Sequence, residues 1–223
     1  MKKTVCLFLV IGIIYSQAAD FNFSSNKPEN SKIISYHASF WLSELLMINP
    51  MSQSRLTISF GQSISISKVK NKHWFLPNSD FGFKLTENLA LTSKIYGFIL
   101  SNDQPQVFSV GGQYFFGDKE KSSVFSLNKS NLKGLNDFRL SCLTLNIQKW
   151  RRWNDALFNI GIGSNFFKEV TYVSNTEIPR KIEGQTNFLS FTLMKQIYSA
   201  VLGGSLKIHP HRQYFSWFVQ KNF

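Results

Sequence analysis

Acidic residues are scarce in this sequence. Asp and Glu number 13 against 25 Lys and Arg, a formal charge of +12 over 223 residues, yet charged residues of all kinds make up only 17%. Cysteine is nearly missing: Cys6 and Cys142 are the whole supply. With Cys6 inside the leader described next, Cys142 stands alone, which excludes an internal disulfide framework and a cysteine-based zinc site. No later run reaches ~18 consecutive apolar residues, so no transmembrane helix is expected. Gly-x-Ser-x-Gly and His-Glu-x-x-His are also missing, which removes two well-marked hydrolase patterns.

What is present begins with a leader. Lys2 and Lys3 precede the apolar stretch Val5 to Ile14, and "YSQAAD" follows with Ser16 and Ala18 placed for signal-peptidase cleavage. Residues 1–18 therefore read as a secretory signal peptide. The run falls well short of the ~20 residues a spanning helix needs. Cys6 lies near its start rather than after it, which argues against a lipoprotein anchor. Without Lys2 and Lys3 the charge falls to about +10. Nucleic acid is a poor partner for an exported chain; anionic lipid headgroups and lipopolysaccharide phosphates suit it better.

Aromatic residues are abundant, at 15% with 22 Phe, and they fall into alternating segments. "RLTISFGQSISIS" sets Leu56, Ile58, Phe60, Ile64 and Ile66 against Thr57, Ser59, Gly61, Ser63 and Ser65. "DFGFKL", the turn "TEN" and "LALTSKIYGFIL" read as a hairpin. "QVFSVGGQYFFG", "SSVFSLN", "ALFNIGIGSNFF", "NFLSFTLM", "AVLGGSLKI" and the terminal "QYFSWFVQKNF" continue the pattern. "DFRLSCLTLNIQ" is ambiguous, since Phe138, Leu140 and Cys142 share one face while Leu143, Leu145 and Ile147 share the other. A β-bulge would reconcile the two.

Period two marks a strand with two unlike faces. The polar faces here carry Ser, Thr, Gly and Asn, while charges collect in the connections "KVKNK", "GDKEK" and "KWRRWND". A water-facing sheet would show more Lys and Glu. Small uncharged residues suit the crowded interior of a narrow barrel, with the apolar face turned to lipid. Backbone groups find no water in hydrocarbon, so such a sheet must close. The expected fold is all-β: a closed, antiparallel, up-and-down transmembrane β-barrel of about ten strands, with eight or twelve as alternatives. A secreted β-sandwich is the alternative architecture. Residues 1–18 form the leader, 55–223 the barrel, and 19–54 a lead-in. The lead-in is open between a further strand, a short helix plugging the lumen, and a periplasmic extension.

On these residues the sequence resembles small bacterial outer-membrane β-barrel proteins, the group that includes the outer-membrane-protein-A and -W-like barrels. The features that carry the likeness are the leader, "FGFKLTENLALTSKIYGF", "FSVGGQYFFG" and "FSWFVQKNF", over roughly Arg55 to Phe223. The resemblance implies that Phe215, Trp217, Val219 and Phe223 form a signal for the barrel-assembly machinery, with Lys221 departing from the usual apolar residue. It implies both termini in the periplasm. Counting back from Phe223 then puts "KQIY", "KWRRWND", "GDKEK" and "TEN" at the periplasmic end, with 67–78, 129–137, 168–184 and "HPHR" outward.

Residues able to carry chemistry are few. His73, His209 and His211 fall at the outer rim, where they could hold a metal or act as a general base. A solvated loop histidine is the commoner role. Trp150, Arg151, Arg152 and Trp153 form a candidate interfacial anchor: Trp suits a membrane–water boundary and Arg can pair lipid phosphates at two points. An ordinary basic turn with two packed aromatics is the alternative. Phe115, Phe116, Phe166, Phe167, Phe215 and Trp217 could add to the aromatic girdles. Lys94, Lys195, Lys207, Arg139 and Arg212 could point inward or snorkel. The expected role is non-catalytic: envelope structure, adhesion or small-ligand binding, with no cofactor and no metal. The expected partners are outer-membrane lipids, lipopolysaccharide and the assembly machinery, and the chain is expected to be a monomer in the bacterial outer membrane. The alternatives are a barrel enzyme acting on lipid or lipopolysaccharide, and a narrow channel.

Overall fold

A computed structural model describes residues 19–23, 28–100, 103–117, 122–173 and 177–223. The leader assigned to 1–18, and most of the "GDKEK" turn, lie outside the described residues. The order is one helix, α1 (Pro28–Leu42), then β1 (Leu56–Ser65), β2 (Phe75–Lys84), β3 (Leu89–Gly97), β4 (Gln106–Phe116) and β5 (Ser123–Lys133). There follow β6 (Phe138–Trp153), β7 (Ala156–Thr171), β8 (Lys181–Ile197), β9 (Ala200–His209) and β10 (Arg212–Asn222). Each strand pairs antiparallel with its neighbours in sequence, and β1 pairs with β10 to close the barrel. The two-sheet sandwich is thereby excluded.

Closure is made by the last residues of the chain. Thr57 pairs with Asn222 and Ser65 with Tyr214 along the seam. Phe223 N–H donates to Leu56 O at 2.9 Å, and Phe223 O accepts from the Arg55 and Leu56 N–H groups at 2.9 and 3.2 Å. These bonds satisfy backbone groups that an open edge would leave bare. The alternation holds around the ring. Phe60, Phe83, Leu91, Phe108, Val110, Ile162, Leu189 and Phe215 face outward and exposed, while Ser59, Ser63, Ser109, Ser126, Thr144, Thr192, Ser205 and Ser216 face the lumen and are buried. An exterior this apolar is the belt of a barrel that sits in hydrocarbon.

The two ends differ. The β2–β3, β4–β5, β6–β7 and β8–β9 turns share one end, the turn end, with the start of β1 and the finish of β10. Asn154 and Tyr198 take positive φ of 52° and 55° in the tight turns after β6 and β8. The opposite, loop end carries 66–74, 134–137 and the described residues of 98–105 and 172–180, together with the short Pro210–His211 turn. Some connections are shorter than the sequence suggests because the strands run on: Pro77 pairs with Gln62 inside β2, and β7 and β8 have 16 and 17 residues.

No bulge interrupts β6. Its pairing with β7 runs one-to-one from Phe138–Thr171 to Trp153–Ala156. Both faces of this strand are apolar because both are covered. Leu143 and Ile147 point outward, while Phe138, Leu140 and Cys142 point into the lumen against the N-terminal segment.

Candidate functional site

The lumen is occupied. Phe23 N–H donates to the Asp137 carboxylate at 2.6 Å, and the Lys70 ammonium donates to Asn22 O, so residues 21–23 sit at the loop end. From there α1 enters the barrel, and residues 43–54 continue to the turn end, where β1 begins. The start of the described chain and the finish of β10 thus lie at opposite ends of the barrel, and the expectation that both termini share the periplasmic end is corrected. Of the three placements open for 19–54, the structure has the short helix inside the lumen.

Alpha1 has little amphipathic pattern because it meets wall nearly all round. Ile34, Ala38, Phe40, Trp41 and Leu42 are buried, and so are Ser31, Ser35, Ser39 and Ser43. The loop-end half of the lumen is an aromatic cluster: Phe21 stands edge-on to Trp74 at 4.9 Å, Phe23 stacks on Phe138 at 4.7 Å, and Trp41 meets Phe98 at 6.0 Å.

A helix leaves its last four carbonyls without intrahelical partners, and here the wall helps to supply them. Ser39 O accepts from Asn165 Nδ2 on β7 at 3.1 Å. Phe40 O accepts from Lys207 Nζ on β9 at 2.6 Å. Leu42 O accepts from Ser130 Oγ on β5 at 3.3 Å. Trp41 O takes the Glu44 N–H at 3.0 Å. Lys207 also donates to Ser43 Oγ at 3.0 Å, pairs with Glu44 at 3.1 Å, and lies 4.6 Å from the centre of the Phe40 ring. A cation at a helix C-terminus is favourable in itself; here it is buried and fully paired.

Below the helix the segment is extended. Leu45, Leu46, Met47 and Ile48 pack with Ala90, Phe115, Val124, Trp150, Met194 and Val201. Gln113 Nε2 donates to Leu46 O at 2.6 Å. A Cβ on Gly82 would stand 2.6 Å from Leu46 Cδ2 and 2.7 Å from Ile48 Cδ1, so that bare position lets the segment approach the wall. At the exit Lys84 Nζ donates to Asn49 O at 2.9 Å, Pro50 O at 3.3 Å and Ser52 O at 2.5 Å. Two open polar cavities of about 510 and 680 Å³ flank this exit, and Arg152 lines both. Beside Glu44 the space shrinks to about 20 Å³, edged by Asn78, Asp80 and Ser216. Asp80 is paired there with Lys94 at 3.0 Å.

The other residues singled out in the sequence separate. Phe215 and Phe223 are exposed on the outer wall beside half-exposed Trp217 and Val219, while Tyr214 and Phe218 of the same strand turn inward. Phe218 fits because Gly203 faces it, where a Cβ would come within 2.2 Å of the ring. Trp150 parts from its neighbours: Arg151, Arg152 and Trp153 are exposed, but Trp150 points into the lumen at 1% exposure. Phe115 and Phe167 are likewise lumenal, not members of a girdle. Lys94 and Lys207 are buried inward, whereas Arg139 and Lys195 are exposed.

The histidines are dispersed. His73 Nδ1 is 2.8 Å from Ser65 O. The His209 and His211 rings lie 5.7 Å apart, with Arg212 Nη1 3.5 Å from His209 Nδ1. Among the described residues no carboxylate hydrogen-bonds to any of the three, and no group of three or more His, Cys, Asp or Glu is placed to hold a metal. His37, which the sequence did not single out, is buried between Trp74 and Tyr214.

No protein-family model and no curated protein matches the sequence. Among solved structures the chain is similar to the translocator domain of autotransporter NalP from Neisseria meningitidis, with 9% identity, 77% of this chain and 88% of that one covered, and a TM-score of 0.44. It is similar to the outer membrane protein Omp33 of Acinetobacter baumannii, with 6% identity, 76% and 98% covered and a TM-score of 0.38. It is also similar to Neisserial surface protein A, with 7% identity, 77% and 98% covered and a TM-score of 0.36.

Proposed function

We propose that this chain is a non-catalytic protein of the bacterial outer membrane, built to hold a filled barrel in the bilayer and to present its loop end for structural, adhesive or small-ligand contacts. The observation that carries this reading is the plug. Its helix end is bonded to side chains of β5, β7 and β9, and its exit is held by three carbonyl contacts to Lys84. A conducting pore would need that path emptied. A lipid-directed enzyme would need a base with an orienting partner; His73 faces the Ser65 carbonyl and His209 the Arg212 guanidinium, and among the described residues no carboxylate bonds to either or to His211.

In this reading Phe215, Trp217, Val219 and Phe223 offer the assembly machinery an outward apolar row on the strand that closes the barrel. Trp153, with Arg151 and Arg152, anchors the turn end at the headgroup level, without Trp150. The test is threefold. Membrane fractionation with a heat-modifiability gel should place the chain in the outer membrane as a barrel that unfolds only on boiling. Planar bilayers should stay silent. Purified lipids should be left unchanged, and alanine at His73, His209 and His211 should alter nothing. Discrete conductance steps, or turnover lost in the triple variant, would refute the reading.

A further inference from the structure

The long strands β6, β7 and β8 rise at the loop end, and the outer face they form with β5 changes character along its height. Lower down it shows Phe125, Leu127, Leu143, Ile147, Ile162 and Leu189, all exposed. Higher up it shows Lys133, Arg139, Lys168 and Lys181, also exposed, with Lys129 one outward row lower, opposite Leu143. The register places them together. Arg139 pairs with Val170 and Val170 with Lys181, while Ser141 pairs with Lys168 and Lys168 with Glu183. Lys133 lies one step past the Leu132–Leu140 pair, beside Arg139. Glu183 is the one carboxylate in these rows, and it is shared by Lys181 at 2.7 Å and Lys168 at 4.0 Å. The patch therefore keeps a large positive excess.

Directly beneath the patch, Ser164 donates to Asn187 Oδ1 at 2.8 Å, and Gln185 Nε2 donates to both at 2.9 Å. The trio shares its level with exposed Leu127, Leu143 and Phe166, a mixture of polar and apolar groups that fits the zone where hydrocarbon gives way to headgroups. Below that trio the wall is hollowed into an apolar groove of about 770 Å³, edged by Ile147, Ile162, Leu189, Ile208 and Pro210. From top to bottom the surface runs cationic, then mixed hydrogen-bonding and apolar, then apolar. That is the order of groups in a phosphorylated, acylated lipid.

We infer that the outer face of β5–β8 binds a multiply phosphorylated, multiply acylated lipid of the leaflet at the loop end, with its phosphates on Lys129, Lys133, Arg139, Lys168 and Lys181 and an acyl chain in the groove. The class that fits is the lipid A portion of lipopolysaccharide, because several cations in one patch ask for more than the single phosphate of a glycerophospholipid. Arg139 supplies the two-point contact that a phosphate accepts best. The inference rests on the outer-membrane reading above.

The test uses the full mature barrel in detergent, titrated with bis-phosphorylated hexa-acyl lipid A, dephosphorylated lipid A or phosphatidylglycerol, with bound lipid counted by native mass spectrometry. Each sample is first checked by heat-modifiability. A chain that does not behave as a closed barrel defeats the outer-membrane reading, and this inference with it. With a closed barrel, bis-phosphorylated lipid A should be retained in preference to the other two. Replacing Arg139, Lys168 and Lys181 with Gln together should weaken retention about a hundredfold, at roughly fivefold per cation. Gln at Lys149 and Lys195, toward the turn end and outside the anchor, should leave it unchanged. Equal binding of dephosphorylated lipid A or phosphatidylglycerol, retention unaffected by the triple variant, or equal loss in the turn-end variant would overturn the site while leaving the barrel standing.

Discussion

The two halves of the lumen solve the same problem by different means. At the loop end the plug is a helix, its backbone satisfied internally, and the contact with the wall is made by rings: Phe21, Phe23, Trp41, Trp74, Phe98 and Phe138. At the turn end the plug is an extended ribbon whose carbonyls need donors, and Gln113 and Lys84 of the wall supply them. Lys207 and Glu44 stand at the junction, where the helix stops and the ribbon starts. A helix can be wrapped in apolar surface, whereas an extended strand without a sheet partner cannot, because buried backbone groups must be paired.

The largest effect should come from the junction. Lys207→Met leaves Glu44 charged and buried, and should cost about 3–5 kcal/mol, read as lowered resistance to denaturant in detergent. Adding Glu44→Leu should return most of that loss, since an apolar pair needs no compensation. In the loop-end half, Phe138→Ala should cost about 3 kcal/mol through lost ring contacts with Phe21 and Phe23. In the turn-end half, Gly82→Val should cost about 1–3 kcal/mol by pushing Leu46 and Ile48 off the wall. The smallest effect should be Ile147→Ala on the outer belt, 52% exposed. In lipid it should change thermal resistance by less than about 1 kcal/mol, because acyl chains refill the space. If Ile147→Ala cost as much as Phe138→Ala, the assignment of inside and outside would be reversed.

Much of the barrel is legible in the sequence. A period of two needs only the sequence, and it placed Leu56 to Ile66, Phe108 to Phe116 and Phe158 to Ile162 on the right face. It also pointed to about ten strands, with eight or twelve left open, and sorted turns from loops. What alternation could not show was a second apolar environment inside. Phe138, Leu140 and Cys142 looked like a register fault because a lone barrel has only one apolar surroundings, the lipid. Trp150 misled for the same reason: beside two arginines at a turn it reads as an interfacial residue, yet the ribbon Leu45–Ile48 offers it an apolar site in the lumen. The signal was present in α1 itself, where Ile34, Ala38, Trp41 and Leu42 run alongside Ser31, Ser35 and Ser39. Such a helix suits neither water nor lipid, and a polar-lined tube is where its hydroxyls and its rings both find partners.

The seam between Leu56 and Phe223 has a further meaning once the path of the chain is traced. The ring is sewn shut around a length of its own polypeptide, like a bead cast on its thread. Because Phe23 is tied at one mouth and Lys84 grips Asn49 and Ser52 at the other, the helix and ribbon between those ties cross the lumen from end to end. That length must therefore lie across the barrel before the final pairing forms, or be drawn through afterwards, and the order of those two events sets which segment is the last to become protected.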